Sequence, residues 1–518
     1  MKVRKYINMV EIKRISISRG LLLSVLLFYL FTFLPLNASA QRRMPCIRHI
    51  PTDKAKTRAA LDDPSQDWDP QRIYRQAVVL ISFADTDFSM DDPAGYYQRV
   101  LNERGYNEGY GQGCVADYFR DQSDGLLNLK FDVYGPFKVS VNANSGKSSY
   151  YGDDAMREAL QQLKAITTAD FSVYDWDGDG EVNQMVFIAA GFTGNQLSGY
   201  IWPNTNHTLS KAPGNLDIGM YSISCEKWKD GALCGIGTIC HEFTHCLGLP
   251  DIYPTGGTYF SAVDEWDLMD GGNYTNKGWC PPNFSAMEKM LLGWSNPIEL
   301  TTATTITGMK PVSEGGETYL IRNSGYADEY YLLENRRHSK WDYGIPGEGL
   351  AIFHVDYDKG QWSYNEVNSD MTHLRYDLFH ADGKDYLIWD PKNNGKDMSK
   401  YTMDDWVRNR YLSTSVYPYT DPVSLVVNAS LTDGTEPAAT LFNDNADGEL
   451  FMQKAITNIR VASDGSVSFD FMQVPSGIEP VPALSDGEGE WYDLQGRRLS
   501  GKPTHKGVFI HNRKKVAL

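Results

Sequence analysis

The sequence predicts an α+β fold in which a region of interleaved helices and strands is followed by strands alone. Three observations carry this expectation. The β-branched, apolar run Ala77-Val78-Val79-Leu80-Ile81-Ser82-Phe83 has the length and composition of a buried strand. Asp153 to Ala165 opens on an acid pair and spaces its apolar residues by three and four, as a helix with one buried face does. Beyond about Leu300 the helical period fades, and Thr, Val, Ile and Tyr alternate with turn residues as far as Phe471.

The other elements fall in order around these. Residues 41–70 are polar, carry both charge signs and lack a clear period, which suits a short pro-segment or linker. A helix is expected near Val115–Phe119, strands over Leu127–Val133 and Met185–Ala190, and a further helix over Ser285–Leu292. The predicted organisation is therefore a mixed region at 71–300, one or two β-rich, sandwich-like domains at 301–474, a linker at 475–490 and a small β module at 491–518.

At 518 residues with 42% hydrophobic and 22% charged content, the chain can build a large core, which excludes disordered, collagen-like and coiled-coil classes. A net charge of −17 argues against nucleic acid as the main partner, because phosphate binding needs a basic surface. The first forty residues read as an export signal: Lys2, Arg4, Lys5, Lys13, Arg14 and Arg19 precede the apolar run Leu21 to Leu34, and Ala38-Ser39-Ala40 supplies a cleavage site. Cleavage there removes six basic residues and one acid, so the mature charge becomes −22. The mature chain is then expected outside the cytoplasm, secreted, at the cell surface or in the periplasm. With no second long apolar run, it has no stable membrane span once the signal is gone. That compartment permits disulfides, and the seven cysteines, an odd number, leave at least one thiol unpaired within the chain.

One segment points to chemistry: Gly237-Thr238-Ile239-Cys240-His241-Glu242-Phe243-Thr244-His245-Cys246-Leu247-Gly248-Leu249-Pro250-Asp251. On a helix, His241 and His245 lie four apart and project from one face, as a zinc pair must. Glu242 stands beside the metal rather than on it, placed to act as general base towards a zinc-activated water. Gly248 tolerates the left-handed turn that ends a helix. Asp251 can then return to the metal as third ligand. Glu288, in the helix expected at Ser285–Leu292, is the rival for that position. Downstream, Glu265-Trp266-Asp267-Leu268-Met269-Asp270-Gly271-Gly272 places Met269 on a tight turn, the second half of a metzincin signature, where it would form an apolar floor.

Several stretches, in order over about residues 75–360, resemble the immune inhibitor A family of secreted bacterial metallopeptidases. They include VVLISFADTDFS, VADYFRDQSDGLLNLKFDVYGP, DWDGDGEVNQMVFIAAG, HEFTHCLGLPDIY, EWDLMDGG, FSAMEKMLLGW and YYLLENRRHSKWDYGIPGEGLAIFHVD. The resemblance implies a zinc endopeptidase with a metzincin-like catalytic domain, His241 and His245 as ligands, Glu242 as acid/base, and proteins or peptides as substrates. The chain departs from the family in its short pre-catalytic region and in Cys240 and Cys246 beside the histidines.

Two secondary sites stand out. Asp175, Asp177, Asp179, Glu181 and Asn183 line a loop with Gly180 at its sixth position, a pattern that suits calcium, although Val186 occupies the twelfth position where a bidentate Glu is needed. Cys46, ahead of the catalytic region, has the chemistry to cap zinc in a zymogen. The end of the chain resembles the C-terminal β module of many secreted Bacteroidetes proteins, which implies outer-membrane secretion machinery as a partner. The competing expectation is a secreted or surface β-domain binding protein or adhesin with a structural zinc or an inactive peptidase domain.

Overall fold

Strand β1 (Ile73–Ser82) runs inside the first sheet because it is apolar on both faces: Ala77, Val78, Val79, Leu80 and Ile81 are all fully buried. The structure is a computed structural model that describes residues 68–207, 209–255, 262–370, 372–384, 410–473, 490–512 and 514–518. The expected export signal, Cys46 and nearly all of the expected linker at 475–490 lie outside the described residues.

In the first sheet, β1 pairs in parallel with β2 (Asn128–Lys138) and with β3 (Glu181–Phe192). Strand β3 pairs in parallel with β5 (Asp217–Lys227), and the short β4 (Asn204–Asn206) closes that side antiparallel to β5. Parallel neighbours need crossovers, and helices supply them. Helices α1 (Pro93–Asn102) and α2 (Val115–Gln122) lie between β1 and β2, and α3 (Asp153–Ile166) lies between β2 and β3. Helix α3 buries Ala155, Met156, Ala159, Leu160 and Leu163, the stripe its sequence period predicts. Helices and strands thus interleave in a mixed α/β arrangement.

Beyond residue 297 the described elements are mostly strands. A second sheet has the order β11-β10-β9-β8-β6, built from β6 (Ile298–Glu299), β8 (Tyr319–Arg322), β9 (Glu329–Arg336), β10 (Gly349–Asp356) and β11 (Tyr376–Leu378). A third sheet joins β7 (Thr304–Met309) to β14 (Ile456–Val461) and β15 (Val467–Phe471), with the short pair β12 (Tyr419–Thr420) and β13 (Val427–Asn428) between them in sequence.

Successive side chains of a strand face opposite sides, and the second sheet uses both. Tyr330 and Leu332 of β9, with Ala351, Phe353 and Val355 of β10, join the core built on the first sheet. Their neighbours Tyr331, Leu333, Leu350 and Ile352 join a separate core with Ile456, Val467, Phe469 and Phe471. One sheet therefore ties the β-rich region to the α/β region by direct burial. His354 of β10 is a packed strand histidine, its Nε2 2.8 Å from the buried Glu329.

The final β module forms a four-stranded sheet, β17-β16-β18-β19, from β16 (Trp491–Tyr492), β17 (Arg498–Leu499), β18 (Val508–His511) and β19 (Lys514–Ala517). Tyr492, Leu494 and Ile510 bury themselves against Ala438, Phe442, Leu450 and Phe451. Among the described residues no helix is long and apolar enough to cross a membrane.

Candidate metal centre

Helix α4 (Gly237–Cys246) carries the two histidines and is buried along its whole length. It can lie so deep because Gly237 at its start has no side chain: a Cβ there would stand 2.1 Å from the Asn273 carbonyl oxygen. Phe243 fixes the helix from another side through edge contacts with Phe119 of α2 and Phe131 of β2. The helix ends where the sequence places the end. Gly248 adopts φ +102°, and its N–H donates to the His245 carbonyl at 3.0 Å.

The turn returns Asp251 to the histidines. Asp251 Oδ1 lies 3.3 Å from His241 Nε2 and 3.2 Å from His245 Nε2, and the two Nε2 atoms are 3.2 Å apart. All three side chains are buried. Each ring is oriented from behind: His241 Nδ1 is 2.8 Å from the Leu268 carbonyl oxygen and His245 Nδ1 is 2.7 Å from that of Leu249. A carbonyl only accepts, so each Nδ1 carries the proton and, in the neutral ring, each Nε2 presents a lone pair.

Two lone pairs and a carboxylate oxygen thus converge in a buried space, and Asp251 Oδ1 has no hydrogen-bond partner of its own. That is a repulsive arrangement unless a cation sits among the three atoms. Electrostatics agree in direction. Burial opposes charge on His241, yet the Asp251 and Glu242 carboxylates beside it raise its pKa overall. Burial likewise works against the Asp251 anion, but the neighbouring histidines hold its pKa well below the carboxylate range. The donor set also fits a tetrahedral ion in size. Ligand bonds of about 2.0–2.1 Å imply donor separations of about 3.3 Å, and the observed edges are 3.2 and 3.3 Å.

Glu242 is buried beside this cluster and does not join it. Its Oε2 lies 2.9 Å from the Thr205 hydroxyl on β4, while Oε1 is buried without a protein partner. Burial is the main cause that raises its pKa above the ordinary carboxyl value. The carboxyl group is therefore held by one oxygen and open at the other.

Met269 is fully buried on its turn. The turn is fastened by Asp267, whose Oδ1 accepts from the Met269 N–H at 2.8 Å. It meets the site twice, through the Leu268 carbonyl behind His241 and through the Met269 carbonyl, which accepts from the N–H of Ile252, next to Asp251, at 2.8 Å. Glu288 is not brought to the histidines. It caps α5 (Ala286–Leu291), with Oε2 accepting from the Ser285 N–H at 2.7 Å. Burial and the adjacent Asp267 push its pKa well up.

The acidic loop brings Asp175, Asp177 and Asp179 together, partly or fully exposed. Asp175 Oδ1 accepts from the N–H groups of Gly178 and Asp179 at 2.7 and 3.2 Å, and Oδ2 accepts from that of Gly180 at 2.8 Å. Asp179 Oδ1 accepts from the Glu181 N–H at 2.8 Å, and Asn183 Oδ1 from that of Trp176. Val186, at the twelfth position, is buried inside β3. The six described cysteines, Cys114, Cys225, Cys234, Cys240, Cys246 and Cys280, are all free thiols. Burial raises the pKa values of Cys240 and Cys246, so both stay protonated beside the histidines.

Five groups around the site carry no sequence signal that could have found them: the Thr205 hydroxyl, the two orienting carbonyls, and Asn365 and Arg336 from the β-rich region. Arg336 is fully buried, paired with Asp342 at 2.8 Å and Glu334 at 3.1 Å, and within 3.4 Å of the Trp266 carbonyl just ahead of the Met269 turn.

Residues 202–295 match the catalytic domain of the immune inhibitor A peptidase M6 family, a segment that holds β4, β5, α4 and the Met269 turn. The chain is 26% identical over 315 residues to immune inhibitor A of Bacillus thuringiensis subsp. alesti, covering 48% of this chain and 44% of that one. It is 24% identical over 278 residues to the pre-pro-metalloprotease PrtV of Vibrio cholerae serotype O1 (strain ATCC 39315 / El Tor Inaba N16961), covering 45% of this chain and 29% of the relative. The chain thus spans less than half the length of these curated relatives. The resemblance to the immune inhibitor A family stands on that match, and the family is one of metallopeptidases.

Proposed function

We propose that the chain is a secreted zinc endopeptidase with a metzincin-like catalytic domain that hydrolyses peptide bonds in protein substrates. The observation that carries this reading is the convergence of His241 Nε2 and His245 Nε2 on Asp251 Oδ1, an oxygen without a hydrogen-bond partner, with Glu242 beside it and uncoordinated. A structural zinc is closed by four protein ligands, whereas these three leave a position open. Glu288, committed to its helix cap, is poorly suited to be the third ligand, which favours Asp251.

His241, His245 and Asp251 would hold the ion, with Leu268 and Leu249 keeping the rings turned towards it. Zinc bound there would supply Lewis acidity towards a water and a carbonyl oxygen. Glu242 takes the proton of the attacking water on Oε1, the oxygen that no protein group occupies, while the Thr205 hydroxyl steadies Oε2. The raised pKa of Glu242 suits the second half of the task, because a carboxyl group that holds its proton more firmly can hand it to the departing amine.

The export signal and the C-terminal module support placement outside the cytoplasm, with secretion machinery of the outer membrane as a partner for the module. Removal of metal tests the function. The purified secreted form should cleave an unfolded protein, lose that activity on dialysis against a chelator and regain it with one equivalent of zinc. Metal-loaded protein that cleaves none of several unfolded substrates would move the binding-protein reading to the front.

A further inference from the structure

Asp251 is held by a residue 114 positions away in sequence. The Asn365 side-chain amide makes two hydrogen bonds to this one residue. Its Oδ1 accepts from the Asp251 N–H at 2.6 Å, and its Nδ2 donates to Asp251 Oδ2 at 2.8 Å. The first bond fixes the backbone where the chain leaves the Gly248 turn. The second occupies one carboxylate oxygen and leaves the other, Oδ1, as the atom that faces the histidines.

Few side chains can do this. Aspartate lacks the donor, a hydroxyl cannot span both groups, and glutamine adds a methylene to a buried, close-fitting pair. The backbone makes the same selection: Asn365 adopts φ +58°, in the left-handed region where asparagine is among the few residues tolerated. Asn365 is itself anchored. Its carbonyl accepts from the Thr255 hydroxyl at 2.6 Å, and three residues on, Asn368 Nδ2 donates to the carbonyls of Ile252 and Tyr376 at 2.9 and 2.8 Å. The loop from the β-rich region thus grips the segment that follows the zinc helix at three points.

We propose that Asn365 is a positioning residue for the third metal ligand, so that a loop of the β-rich region sets how firmly the site holds its ion. The proposal rests on the metallopeptidase reading above. Partners that orient a ligand from behind typically change metal affinity by about 10- to 100-fold when removed.

The test uses the full secreted chain and Asn365→Gly, which removes the amide and keeps the left-handed backbone accessible. Zinc affinity is measured by competition with a chromogenic chelator, the cobalt-substituted absorption spectrum reports ligand geometry, and metal-free melting reports folding. The expected result is zinc affinity weaker by about 10- to 100-fold, an altered cobalt spectrum, and a metal-free melting midpoint close to wild type. Wild-type affinity and an unchanged spectrum would overturn the positioning role while leaving the metallopeptidase reading intact. If Asn365→Gly does not fold, Asn365→Asp carries the test, since it keeps the size and the acceptor but loses the donor to Oδ2. An unchanged cobalt spectrum in that variant overturns the proposal equally. A wild-type chain that takes up no zinc, with His241→Ala behaving alike, would overturn both readings together.

Discussion

Two clusters among the described residues have metal-ligand spacing, and their donor atoms are treated in opposite ways. In the acidic loop the carboxylate oxygens of Asp175 are already used by three backbone N–H groups, and the cluster is largely open to water. At His241, His245 and Asp251 the donors are buried, their far sides are hydrogen-bonded, and the near atoms point only at one another. An acidic turn can be satisfied by its own backbone. A buried ring of lone pairs cannot, and that unmet need marks the stronger candidate for a metal.

The largest effect that would sharpen this contrast is loss of the ion. His241→Ala should abolish stoichiometric zinc, measured by elemental analysis of the purified chain, and protein cleavage with it. Asp177→Asn in the acidic loop should leave zinc content at wild type. Equal zinc loss in both variants would erase the distinction. The third ligand offers the next test. Asp251→Ala should release zinc, whereas Glu288→Ala should keep it and lower stability by about 1 kcal/mol through loss of the helix cap. Zinc retained in Asp251→Ala and lost in Glu288→Ala would reverse that assignment.

Smaller effects are expected in the loop. Asp175→Ala removes the acceptor for three N–H groups and should lower stability by about 1 kcal/mol at neutral pH, read from denaturant melts. Burial opposes its charge, but those N–H groups hold the Asp175 pKa below its ordinary value. A depressed carboxyl contributes stability above its unfolded pKa and loses it as pH falls through the folded one. The gap between wild type and Asp175→Ala should therefore close in acid, below the usual aspartate range. The smallest effect is that of added calcium, expected to leave the melting midpoint nearly unchanged. A clear calcium-dependent rise would show that the loop binds the ion despite its internal hydrogen bonds.

The sequence made the histidine helix legible because every part of its signal is local. Two histidines four apart share a helix face, and a glycine can end the helix three residues ahead of an aspartate. It could not show that Asn365 braces that aspartate, since the two are brought together only by tertiary packing. Nor could it show the Leu249 and Leu268 carbonyls, because a backbone oxygen has no residue type. The β-rich region reads as alternating strands. However, Tyr330, Tyr331, Leu332 and Leu333 are all apolar, so nothing in their order reveals that alternate residues serve two different cores. The acidic loop shows the converse limit, where spacing is visible but the hydrogen bonds that use up the oxygens are not.

In this reading Glu242 works beside a held metal rather than holding it. The most direct test compares cleavage of an unfolded protein by wild type and by Glu242→Ala, with zinc content matched between them. The variant should keep full zinc occupancy and lose activity by about 10²- to 10⁴-fold, the usual contribution of a positioned acid/base. Undiminished cleavage by zinc-loaded Glu242→Ala would contradict this reading.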